Sequence, residues 1–130
     1  MLALDDTKLR VLLDDDVSCG DLTTDSLSIG DQAARLEFRA RQAMTVCASE
    51  EAKRLFELAG ADARLIATTG LALSPNEPIL EAEGSASCLH RAWKTAQTLV
   101  EWASGIATAT AAIVVAANGI PVACTRKNVP

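Results

Sequence analysis

The chain has 130 residues, 49% of them hydrophobic, and a formal net charge of −5. That is enough apolar material for one domain with a real core, and it excludes intrinsic disorder. Tyr is absent, Phe and Trp supply two residues each, and the charge is acidic, so the core must be aliphatic and Ala-rich, and binding to nucleic acid is excluded.

Asp5, Asp6 and Thr7 can cap a first helix with Leu9, Leu12 and Leu13 on one face. Asp14-Asp15-Asp16 opposes the dipole at its C-terminal end, so the helix should stop there. Ser18-Cys19-Gly20-Asp21 reads as a turn, and Thr23-Thr24-Asp25-Ser26 as a hydroxyl-rich loop. Residues 34–41 alternate strictly, with Ala34, Leu36, Phe38 and Ala40 on one face and Arg35, Glu37, Arg39 and Arg41 on the other. This predicts a half-buried strand whose arginines face solvent. Residues 44–47 form a second strand after a bend.

Ser49 is suited to an N-cap, with Glu50 and Glu51 in the first turn and Gly60 closing the helix. Residues 64–68 and 78–83 read as two further strands, joined by a loop that contains the turn Ser74-Pro75-Asn76-Glu77. Residues 88–118 carry apolar side chains at helical spacing. Ser104-Gly105 is the natural break, so two helical segments are expected to meet there. The second, 107–117, is small and apolar all round and should be buried all round. Gly119 and Pro121 then open Val122-Ala123-Cys124, which predicts a strand of a parallel sheet covered on both sides. The order is antiparallel α+β first, then helix and strand.

The charge is uneven. Residues 1–31 hold eight Asp against Lys8 and Arg10, and no acid follows Glu101. Cys19, Cys47, Cys88 and Cys124 are far apart, with no C-x-x-C and a single His. Zinc spacing is missing, no metal ligand is expected, and no signal-peptide pattern is present, so reduced thiols in a cytoplasmic protein are expected. Residues 102–125 contain no charge, but Ser104, Gly105, Asn118, Gly119 and Pro121 interrupt them. A buried helix followed by a strand, rather than a membrane span, is the expectation.

A parallel strand reached through a helix begins an α/β barrel or a doubly wound sheet, and both bind ligands at strand C-termini. Thr125, Arg126 and Lys127 sit at that end of the chain. Arg can grip a carboxylate or phosphate through two bonds, and Lys adds a point charge. A solvated loop with two cations is the competing reading.

Gly20-Asp21-Leu22-Thr23-Thr24, Lys94-Thr95-Ala96, Ser104-Gly105-Ile106-Ala107-Thr108, Thr125-Arg126-Lys127 and Pro130 occur in order. Together they resemble the quinolinate phosphoribosyltransferase family (nicotinate-nucleotide pyrophosphorylase, carboxylating) across nearly the whole chain. His90-Arg91-Ala92-Trp93-Lys94, Glu101-Trp102 and Cys124-Thr125-Arg126-Lys127 look like its ModD-type branch, linked to molybdate transport. The resemblance implies an α+β fold. Residues 1–104 would form an N-terminal α/β sandwich with a mostly antiparallel sheet, and 105–130 would start a truncated α/β barrel. It also implies a homodimer with the site shared across subunits.

The implied reaction joins phosphoribosyl pyrophosphate to a pyridine carboxylate or related anion. Pyrophosphate leaves with the help of Mg²⁺, and CO2 is lost as well if the substrate is quinolinate. By motif position, Arg126 and Lys127 would be catalytic and substrate-binding, and Thr125 a nearby hydrogen-bond donor. Lys94 stands where the family has an arginine supplied by the partner subunit, and Cys124 stands where it has an acid. Both departures favour a related but different anionic substrate. Gly20-Asp21-Leu22-Thr23-Thr24 and His90 read as structural. The Mg²⁺ ligands are expected beyond Pro130, so this piece should not catalyse alone. A non-catalytic dimerisation or capping module is the alternative. A biotinyl-carrier-like reading of the segment around 78–84 is weaker, because no lysine stands at its tip.

Overall fold

A computed structural model describes residues 3–16 and 21–125. The fold is α+β, with an antiparallel sheet and helices, as the sequence predicts. Helix α1 spans Asp6–Asp16, α2 Leu22–Leu27, α3 Ser49–Ala59 and α4 Ala86–Ala116. The strands are β1 Ala33–Arg39, β2 Met44–Thr45, β3 Asp62–Leu65, β4 Ala72–Leu73 and β5 Pro78–Ser85.

The main sheet has the order β1-β5-β3, with both neighbours antiparallel to β5. Its register sets Phe38 opposite Leu80, Leu36 opposite Ala82, and Leu65 opposite Leu80, which builds one apolar face. The helices α3 and α4 pack on each other and on this sheet, and α1 lies against both. Phe38 and Phe56 meet edge to face at 5.8 Å in the middle of the core. At the end of β5, a Cβ on Gly84 would stand 3.2 Å from that of Ala61. Glycine there lets the strand pass close to the end of α3.

The other face carries charge. Arg35 pairs with Glu81 at 2.9 Å, Arg64 with Glu81 at 2.7 Å, and Arg39 with Glu37 at 2.7 Å. The arginines of the alternating stretch therefore stand on a solvated sheet face, as the alternation predicts. Two arginine side chains hold the Glu81 carboxyl below its ordinary range, the hydrogen bond from Arg64 contributing most.

Several expectations are corrected. Residues 23–26 are helical rather than a loop, because the Asp21 carboxylate caps α2 by accepting the Thr24 N–H at 3.1 Å. Ser49 is the first residue of α3, not its cap; Ala48 takes that place at φ 62°. The strand expected at 64–68 begins and ends earlier. The N–H groups of Ile66 and Ala67 both turn to the Ile79 carbonyl at 2.9 Å. Only Met44–Thr45 of the second predicted strand is paired, and its partner β4 was not foreseen.

The largest correction concerns α4. It runs unbroken through Ser104-Gly105, because one glycine costs a helix only about 1 kcal/mol and the flanking Ala-rich turns absorb it. Its C-terminal half, expected to be buried against barrel elements and to leave an apolar surface open on this piece alone, is exposed here: Ile113, Val114 and Val115 are 58%, 51% and 79% exposed. Residues 121–125 form no strand, and a strand needs a paired neighbour to be stable. Cys47, Cys88 and Cys124 are free thiols. Cys19 and the turn at 18–20 lie outside the described residues.

Exposed Ile106, Ile113, Val114, Val115, Ile120 and Val122 form an apolar surface of the kind that drives association. Sedimentation of the 130-residue chain at micromolar concentration should show self-association, and a clean monomer would contradict this.

Acid should weaken the fold. Glu57 accepts hydrogen bonds from Lys53 and, at 3.0 Å, from Arg54. The Lys53 bond is the main cause holding its carboxyl below the ordinary 4.5, against partial desolvation. A carboxyl whose pKa is lowered on folding stabilises above its unfolded pKa, and that contribution is lost as pH falls through the folded one. Urea midpoints should therefore fall as pH drops below the 4.5 of an ordinary glutamate, and less steeply in Glu57→Gln. An identical slope in the variant would show that this pair carries none of the effect.

Candidate functional site

The helix that presents Lys94 starts directly from the central strand, with no loop between β5 and α4. Ser85 caps it by accepting the Cys88 N–H at 3.3 Å. Leu89, Ala92, Ala96, Val100 and Ser104 recur every three to four residues and are buried. That stripe fixes the rotation of the helix, and Lys94 faces away from it into solvent. The Lys94 Nζ lies 5.6 Å from the centre of the Trp93 ring and 3.5 Å from Gln97 Oε1. Among the described residues it has no carboxylate partner.

One turn earlier stands His90, the sole histidine. Its Nδ1 is 2.7 Å from Thr24 Oγ1 and 3.5 Å from Asp21 Oδ2. The Thr24 hydroxyl, almost wholly buried, also hydrogen-bonds Asp21 Oδ2. Thr24 has one proton to give, so the self-consistent pattern runs from His90 Nδ1–H to Thr24 and from Thr24 O–H to Asp21. Asp21 and Thr24 thus clamp α4, with His90 as the other jaw, and the segment expected as a structural turn leads into α2. The His90 ring also leans on Trp93, with centroids 6.1 Å apart.

Farther along, Ser104 Oγ accepts the Cys47 N–H at 2.9 Å and donates to the Cys47 carbonyl at 3.3 Å. One turn on, Thr108 Oγ1 accepts the Thr45 N–H at 2.9 Å. These bonds tie α4 to β2 and the segment after it. A groove of about 1220 Å³ lies between β1 with the loop after it and the α4 face bearing Trp93, Gln97, Ser104 and Thr108. Arg41 at its rim has no ion-pair partner among the described residues. No local pattern in the sequence marks this groove, whose walls come from distant segments.

After Ala116 the chain turns through Asn118 and Gly119, both with left-handed backbone, at φ 46° and 89°. Thr125 is exposed beyond the turn, while Arg126 and Lys127 lie outside the described residues. Helical rise puts about 33 Å of α4 between Lys94 and Ala116. Lys94 has Gln97 and Trp93 as its partners, and Thr125 is not among them.

The profile of the family described as quinolinate phosphoribosyl transferase, N-terminal domain, matches residues 21–104. The chain belongs to this family. Among curated proteins it is 47% identical to a candidate pyrophosphorylase, ModD, of Rhodobacter capsulatus, covering all of this chain and 52% of that protein. It is 34% identical to a candidate carboxylating nicotinate-nucleotide pyrophosphorylase of Methanocaldococcus jannaschii, over 98% of this chain and 47% of that protein. The crystal structure of NadC from Streptococcus pyogenes superposes with a TM-score of 0.86 at 26% identity, covering 96% of this chain and 46% of that one. The chain thus spans about half the length of the relatives it matches.

Two features escaped sequence reasoning: the indole beneath Lys94 and the hydroxyl links from Ser104 and Thr108. The first had a signal, since His90 and Lys94 are one helical turn apart with Trp93 adjacent. The second had none, because Ser and Thr in a helix usually bond their own backbone.

The clamp can be tested directly. Thr24→Val keeps the shape of the buried side chain but leaves Asp21 and His90 without their shared partner. Thermal or urea denaturation should show a loss of about 1–3 kcal/mol; an unchanged midpoint would mean that the three groups do not brace α4.

Proposed function

We propose that this chain is the N-terminal part of a quinolinate-phosphoribosyltransferase-like enzyme. The enzyme transfers phosphoribosyl from phosphoribosyl pyrophosphate to a pyridine carboxylate or related anion and releases pyrophosphate. With quinolinate, the products are nicotinate mononucleotide and CO2. The observation that carries this reading is Lys94: a solvent-facing ammonium without an acid partner among the described residues, on a helix rigidly fixed within the family-matched region. An unneutralised cation so placed is available to a ligand.

Residues 1–104 are the sandwich domain, and 105–130 begin the barrel. Lys94 reaches across a homodimer to bind substrate at the partner's barrel, while Thr125, Arg126 and Lys127 bind substrate and phosphate within their own subunit. As the glycosidic bond breaks, positive charge develops at the ribose carbon and negative charge on pyrophosphate. Arg126 and Lys127 stabilise the latter.

Mg²⁺ accompanies phosphoribosyl pyrophosphate in this reaction class. Among the described residues, no group of three or more His, Cys, Asp or Glu side chains could hold a cation. These residues therefore do not fit the metal. The protein acts in the cytoplasm. By length and composition α4 could cross a membrane, but its N-terminal half is built into the domain core through Leu89, Ala92, Ala96 and Val100.

A ModD-type substrate other than quinolinate is the second reading. It is favoured by the 47% identity to the ModD protein and by lysine at position 94, which cannot make the two-bond grip of an arginine. Pyrophosphate release by the full-length enzyme separates the two. Lys94→Ala should lower kcat/KM for the true anionic substrate roughly ten- to hundredfold, the worth of a charged hydrogen bond. If quinolinate turns over only after Lys94→Arg, substrate choice lies at this position. Full activity in Lys94→Ala would remove Lys94 from the site.

A further inference from the structure

We infer that Trp93 is a positioning residue for Lys94, and that His90 holds it in place. The inference rests on the reading of Lys94 as a substrate-binding cation, and it adds a device that sets where that cation stands. Lysine is a flexible point charge on four methylenes, and ordering it costs rotamer entropy. An arginine fork arrives with its geometry built in; a lysine needs support from its surroundings.

The support is present. The ammonium stands 5.6 Å from the indole centroid, within the range in which an aromatic face attracts a cation. The indole is 41% exposed and would be free to change rotamer if nothing flanked it. The His90 ring, tilted 43° against it, occupies one side. His90 cannot drift, because its Nδ1 is bonded to Thr24, whose hydroxyl is buried and bonded in turn to the α2 cap Asp21. A continuous line of contacts therefore runs from the anchored Asp21-Thr24 turn through His90 and Trp93 to the ammonium. On the far side, the Gln97 carbonyl receives the lysine, and the Gln97 amide is held by Glu101 at 2.8 Å. Lys94 is thus steered from both sides by uncharged groups, so its charge stays available.

Two measurements test this. In NMR spectra of the 130-residue chain labelled at lysine, the Lys94 methylene protons next to the ammonium should carry an upfield ring-current shift. Trp93→Leu should abolish that shift, Trp93→Phe should leave a smaller one, and His90→Ala should diminish it. Identical Lys94 resonances in the parent and Trp93→Leu overturn the inference.

In the full-length enzyme, Trp93→Leu should raise KM for the anionic substrate roughly two- to fivefold, the worth of an exposed cation–ring contact, with a smaller effect on kcat. The same change made in Lys94→Ala should have no further effect. Additive losses would mean that Trp93 acts independently of Lys94. Should no pyridine carboxylate be turned over, the functional reading falls, and the NMR comparison still decides whether Trp93 positions Lys94.

Discussion

The domain depends on how closely α4 can lie against the rest of the fold. Its inward stripe places Ala92 and Ala96, both fully buried, where larger side chains would hold the helices apart. Small residues let neighbouring helices approach to the short end of their usual separation, and the larger Leu55, Phe56 and Leu89 fill the space beside them. The apolar face of the sheet, the seat of α1 and the direction of Lys94 all follow from this contact. Because the stripe is narrow, the helix has one permitted rotation, and every outward residue has a fixed heading.

The same constraint explains what the sequence could reveal. Elements with strong local signals were legible: the alternation around Arg35 to Arg39, the Gly60 stop, the acidic end of α1 and the periodicity of α4. These patterns arise because one face of each element is dry and the other wet. The failures lie where a local preference met a remote partner. A hydroxyl-rich stretch became α2 with its Thr24 hydroxyl bonded to His90 on α4, beside the cap that Asp21 supplies. Residues 72–73 became a strand because Met44 and Thr45 offered an edge. Residues 112–116 stand exposed although their composition is apolar, since apolar character shows that a segment can be buried, not what covers it.

The candidate site was legible in part for a different reason. Lys94 stands out through its position in a motif, and the structure supplies its surroundings: an indole, an amide oxygen and, among the described residues, no paired acid. Its neighbours Trp93 and Gln97 carry no chemistry of their own and gave little signal. Their importance is relational, visible only once helix geometry brings them to one ammonium. The Asp21-Thr24-His90 clamp shows the converse case, a conspicuous cluster of polar residues that satisfy one another and brace α4.

Ser104 is the last buried residue of the chain among those described, and Gly105, next to it, has nothing within 4 Å of where a side chain would begin. The helix is therefore continuous in shape but divided in energy. Up to Ser104, opening a backbone hydrogen bond means disturbing the core. Past Thr108, the turns rest mainly on one another, beside a glycine that already weakens them. Amide protons in the last turns of α4 would then exchange with solvent through local opening, while those before Ser104 wait for the whole domain to unfold. The sequence predicts two helical segments meeting at this point; the structure has instead one continuous helix whose core contacts end there.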